Sequence, residues 1–166
     1  MEVDIRLNTP LGQEWESVEA LRVAIVGCLE ALFRNRDFGQ AVGMVSRELV
    51  ENAIKYGDWE HSDPSLFQFS FLLSNEEIVV QVSNPVSADE NTPKELLDTI
   101  DWIKQFSSPA EAYMTRMQQV AEQPKESKLS CLGLVRVAYE GNFSLDACMD
   151  DNNVIHIKAT SKVENQ

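Results

Sequence analysis

The stretch SRELVENAIKYGDWE, residues 46–60, decides how this chain is read. At ~100° per residue, Val42, Val45, Leu49, Ala53 and Tyr56 fall on one face of a helix that starts near Asp37. Gly57 stands where such a helix takes its C-terminal cap. Glu48 and Asn52 are one turn apart, separated by only ~40° around the axis, and Lys55 lies on the same side. A polar edge therefore flanks the apolar stripe. On its chemistry, Asn can offer Mg²⁺ a hard oxygen, Glu can orient or deprotonate an attacking group, and Lys can meet a phosphate as a point charge. A plainer reading stands beside this one. Glu51 and Lys55 have ion-pair spacing, and Glu48 and Asn52 can be simple boundary residues of an amphipathic helix.

Upstream, VDIRL (3–7) alternates as a half-buried strand does. Val18, Leu21, Ile25, Cys28, Leu29 and Leu32 recur at helical spacing and predict a helix to about Arg36. Downstream, LFQFSFLL (66–73) and IVVQVS (78–83) read as an antiparallel hairpin. Thr92-Pro93-Lys94-Glu95 and Ser108-Pro109-Ala110-Glu111 each match a capping box with proline at the first helical position. They predict helices to about Phe106, with Leu96, Ile100 and Ile103 inward, and to about Gln123, with Tyr113, Met117 and Val120 inward. LSCLGLVRVAYEG (129–141) reads as another helix, and FSLDACM (143–149) and NVIHIKAT (153–160) as two strands around an Asp-Asp-Asn turn. This order predicts an α+β fold, a two-layer sandwich with helices on one face of the sheet.

The length of 166 residues favours one domain, spanning 1–166. Twenty-seven acidic against fourteen basic residues give a net charge of −13. That balance argues against nucleic acid, whose binding needs clustered Lys and Arg, and against an anionic membrane surface. It suits a basic protein partner or solubility. Cys28, Cys131 and Cys148 sit in apolar runs with no metal-ligand spacing, which reads as core thiols in a reducing, cytoplasmic setting. No apolar run reaches the ~20 residues that span a bilayer.

The segment ELVENAIKYG resembles the N-box of the Bergerat-fold, histidine-kinase-like (GHKL) ATPases, the family of gyrase, histidine kinases and anti-sigma serine kinases. Glu48, Asn52, Ala53, Ile54 and Lys55 carry the match, and the order of elements extends it over roughly residues 15–160. The resemblance implies a mixed, mostly antiparallel sheet with helices on one face, binding ATP and Mg²⁺. In its terms Asn52 holds Mg²⁺, Glu48 is the catalytic base or water-orienting residue, and Lys55 faces the phosphates. Asn84 falls where the family has the aspartate that accepts from the adenine amino group, but both following glycines are missing and Pro85 comes next. In the last glycine box only Gly133 survives, followed by Leu134, with Ser130 able to cap the helix and Leu129 and Cys131 at glycine positions.

The helices at 92–123 occupy the interval of the family's ATP lid. They either complete the core or cover the former nucleotide cleft, and Met114 and Met117 are either core or an adaptable partner surface. The resemblance is closest in size to the bacterial anti-sigma serine kinases. It implies a stand-alone MgATP-binding signalling protein that acts on a partner protein and forms homodimers. The eroded glycines imply an alternative, a member that has lost nucleotide and serves as a protein-interaction module.

Overall fold

The computed structural model describes residues 2–11, 15–87, 91–122 and 132–163. The elements, in chain order, are β1 (Val3–Leu7), α1 (Trp15–Phe33), α2 (Arg36–Tyr56), β2 (Gln68–Leu73), β3 (Glu77–Pro85), α3 (Thr92–Lys104), α4 (Pro109–Glu122), α5 (Leu132–Tyr139), β4 (Ser144–Met149) and β5 (Val154–Lys162). The five strands form one sheet in the order β1-β2-β3-β5-β4. Every pairing is antiparallel, where the resemblance implied a mixed sheet. The chain leaves the sheet after β3, builds three helices, and returns along the far edge as β4. β5 then turns back and inserts beside β3.

Register assigns the two faces. One cross-strand row reads Ile5, Phe71, Val80, Ala159 and Leu145, and the neighbouring row reads Arg6, Ser70, Gln81, Lys158 and Asp146. Side chains alternate along a strand, so the first row faces the helices and the second faces away. The apolar row joins Ile25, Leu29, Val45, Leu49, Leu134 and Val135 of the helices in one core. Gly43 lets α2 lie close on α1, since a Cβ there would stand 2.5 Å from a methyl of Val26.

Several boundaries differ from the sequence reading. α1 stops at Phe33 because Arg34 takes a left-handed backbone, φ 53°, which breaks the helical ladder. Leu32, in the last turn of α1, is exposed instead of completing the stripe. Asn35 then caps α2, its side chain accepting from the Phe38 amide at 3.1 Å. Gly57 does end α2, but at φ −74°, not left-handed. Its lack of a side chain answers a different need, because a Cβ there would enter the Trp59 indole. That indole donates to the Ile54 carbonyl at 2.9 Å and packs edge-on to Phe67. β2 begins at Gln68, after a 3-10 turn over Pro64–Leu66.

The two capping boxes are only half realised. α3 begins at Thr92 itself, after Asn91, which makes no side-chain cap bond. Before α4, Ser108 accepts from the Glu111 amide at 3.3 Å, but the Glu111 carboxylate turns to the Ser107 hydroxyl, 2.7 Å away. Leu96, Ile100 and Ile103 are buried as expected. On α4 the fully buried residue is Ala112, Tyr113 and Val120 are half-buried, and Met117 is exposed. The thiols depart from the core reading as well: Cys148 is exposed on edge strand β4 and Cys28 is half-buried. Cys131 and the proposed start of the last helix at 129–131 lie outside the described residues.

Candidate functional site

α2 runs along the inner face of the sheet, and α5 packs beside it. Their contact is made where an apolar helix is least expected to be charged. Glu48 is only 9% exposed, and its Oε1 accepts from Nη1 of Arg136 on α5 at 2.8 Å. Nε and Nη2 of the same guanidinium donate to the Glu140 carboxylate, each at 3.1 Å. Arg136 therefore bridges a buried and an exposed carboxylate. Burial pushes the Glu48 carboxyl above the usual glutamate range, against the opposing pull of Arg136.

The other Glu48 oxygen lies over Gly133, and a Cβ at that position would collide with it. This gives Gly133 a packing reason: it makes room for the Glu48 carboxylate. Gly133 is the second residue of α5, so the carboxylate sits beside the positive end of a helix dipole. Leu134, the next residue, is 1% exposed and belongs to the core.

One turn after Glu48, the side-chain amide nitrogen of Asn52 is buried with no hydrogen-bond partner among the described residues. A buried donor left unpaired costs about 1–3 kcal/mol. The amide's oxygen and nitrogen are assigned from their surroundings, so Asn52 can present an oxygen or an NH₂ group at that point. Among the described residues no three His, Cys, Asp or Glu side chains converge as a metal cage. A cation here would be held by Asn52 together with oxygens of its own ligand, which is how Mg²⁺ is bound with phosphates. With the amide turned so that its oxygen takes that place, Asn52 would supply one hard oxygen ligand.

The other residues of the sequence reading are placed elsewhere. The Lys55 ammonium stands over the Tyr56 ring, 4.9 Å from its centre. It lines a cleft with Asp58, Trp59 and His61, past the end of α2. Glu51 pairs with Arg47 at 2.7 Å, so the i,i+4 ion pair on α2 is not the one with Lys55. Asn84 lies on the inner face near the end of β3, 3% exposed, its amide donating to the Pro85 carbonyl at 3.1 Å. That carbonyl also accepts from the Asp58 amide at 2.9 Å, which ties the end of α2 to the end of β3. No hydrogen bond among the described residues joins Asn84 to Glu48 or Asn52. Ser130 lies outside the described residues. The structure thus brings together Glu48, Gly133 and Arg136, with Asn52 one turn on. Sequence reasoning missed Arg136. Its signal was a lone charge inside the apolar run LGLVRVAY.

No protein-family model matches the chain, and no curated protein matches it in sequence. Its fold is similar to that of a chain in the crystal structure of the SiaB–SiaC complex from Pseudomonas aeruginosa. The TM-score is 0.66 at 17% identity, over 96% of this chain and 89% of that one. At that identity the likeness speaks for the fold alone. No helix among the described residues is long and apolar enough to cross a membrane.

Proposed function

We propose that this chain is a bacterial regulatory domain that binds MgATP at Asn52 and acts on a partner protein. The observation that carries the reading is the buried side-chain nitrogen of Asn52, unpartnered among the described residues, one turn from the buried Glu48. A native fold rarely leaves such a group unpaired without a ligand or a task. The fold likeness to a chain from a complex of two proteins supports action on a partner, and so does the net charge of −13. When bound, MgATP supplies the transferable phosphoryl group. Asn52 would hold the cation. Glu48, whose proton affinity is raised by burial, would accept the proton of an attacking hydroxyl.

A second reading has its own observation. Arg136 neutralises Glu48, and Asn84 is buried against Pro85. Both arrangements are complete without nucleotide and suit an interaction module that has lost it.

Calorimetric titration with ATP and ADP, with and without Mg²⁺, separates the two. Magnesium-dependent binding that disappears in Asn52→Ala is the expected result. The variant itself is expected to fold at least as well as the parent, because it removes an unpaired buried donor. No heat and no thermal shift at millimolar nucleotide would sink the first reading and leave the second.

A further inference from the structure

α4 carries apolar residues on the side turned away from the core. Met114 is 59% exposed and Met117 41% exposed. Ala110, Met114, Met117 and Ala121 are spaced four, three and four residues apart, the alternation of a helix–helix seam. At ~100° per residue they fall within ~60° of one another. Ala112, the fully buried residue of this helix, points roughly the opposite way. α4 therefore has two apolar faces, of which one is used by the core. Beyond Met117 the apolar surface continues to Tyr113, which lies against Tyr139 of α5 with ring centres 5.0 Å apart. Tyr139 is itself 47% exposed. Two methionines one turn apart offer a surface that adapts to its partner.

The flanks say what kind of partner fits. Glu111, Gln118 and Glu122 border the seam on one side, and Tyr113 and Val120 on the other. Neither flank holds a Lys or Arg. The one arginine of α4, Arg116, lies over the Trp102 ring, 4.5 Å from its centre, away from the seam. A second copy of this chain would bring the glutamates of its own α4 to the same seam, and α4 carries no lysine or arginine beside that seam to meet them. An amphipathic helix with Lys or Arg beside its apolar stripe would meet Glu111 and Glu122 favourably. The net charge of −13 would steer such a helix toward the protein.

We propose that the outer face of α4 is the docking surface for a basic amphipathic helix of a partner protein. The inference names the surface through which the regulatory role proposed above would act, and it does not depend on nucleotide.

The test uses a fluorescein-labelled synthetic helix of about three heptads, with Leu at the seam positions and Lys beside them, and a twin peptide with Glu in place of Lys. Binding is followed by anisotropy with the parent protein and with Met114→Ser/Met117→Ser. The lysine peptide is expected to bind and the glutamate twin not to bind. The double variant is expected to weaken binding at least tenfold, about 1.4 kcal/mol, with an unchanged thermal melt. Methyl NMR of the methionines provides a second reading on the unaltered protein, in which Met114 and Met117 shift on adding the lysine peptide. Equal binding by the double variant, or methyl signals that do not move, would overturn the proposal and reduce the effect to non-specific charge. So would a concentration-dependent dimer abolished by the same substitutions, since the face would then belong to a second copy. None of these outcomes alters the nucleotide titration of Asn52, so the two proposals fail separately.

Discussion

α2 and α4 break the same rule in opposite directions. An amphipathic helix puts apolar residues inward and charges outward. α2 turns Glu48 inward and leaves it 9% exposed. α4 turns Met114 outward and leaves it 59% exposed. The inward charge is tolerated because α5 supplies Arg136 and a glycine that gives way to the carboxylate. The outward methionines have no such compensation among the described residues. A buried charge must be answered inside the fold, whereas an exposed apolar seam can be answered from outside it. Local departures of this kind mark the places where stability has been set aside for function.

The largest expected effect comes from removing the answer to the buried charge. Arg136→Met should destabilise by about 2–4 kcal/mol, because it leaves Glu48 buried and unpaired. Adding Glu48→Gln should return more than about 1 kcal/mol of that loss, a coupling that urea denaturation of the four proteins of the cycle would measure. If the two changes simply add, the pair is not the reason Glu48 is tolerated.

Next comes the glycine. Gly133→Ala places a methyl against the Glu48 carboxylate and should destabilise by about 1–3 kcal/mol. The loss should shrink in a Glu48→Ala background. Unchanged melting of Gly133→Ala would mean that the absence of a side chain at Gly133 is not what makes room for Glu48.

The third outcome is a pH dependence. The folded-state proton affinity of Glu48 is raised, chiefly by burial. The folded protein therefore holds more protons than the unfolded one in the interval above the ordinary glutamate range. Stability should fall as pH rises through that interval and level off above the raised value. The urea midpoint of Glu48→Gln, followed across the same interval, should lack that contribution. An identical slope in the variant would assign it to other carboxylates.

The smallest effect on folding belongs to α4. Met114→Ser/Met117→Ser should change stability by no more than about 0.5 kcal/mol, since exposed side chains away from special contacts rarely do more. A large loss in the melt would mean that the outer face already packs against part of the chain, and the contrast with α2 would collapse.

Much of the fold was legible in the sequence, and the reasons are local. Period-two alternation located the strands from VDIRL to NVIHIKAT, and period-3.6 stripes located the helices. Boundaries were less legible where one residue's backbone decided them. Nothing in RNRD announces that Arg34 turns left-handed and ends α1 before Asn35 caps α2. The site was half legible. Glu48 and Asn52 stood out because their spacing puts two chemical groups on one edge of a helix. Lys55 belonged to the same pattern, yet it turns to Tyr56. Asn84 was singled out only through the family resemblance; it lies within β3, and its burial at 3% depends on what covers that strand.

The sequence by itself determined the elements, the α+β class and the pair on α2, because periodicity and spacing are properties of neighbouring residues. It also marked the methionines of α4, but set Met117 inward, where the structure leaves it exposed. Only the tertiary structure decided that β5 inserts beside β3 and that Glu48 is answered by Arg136. That last contact joins residues 88 apart in the chain. No local pattern records such a meeting. It exists because the core brings α5 against α2, and because a carboxylate removed from water needs a cation within reach.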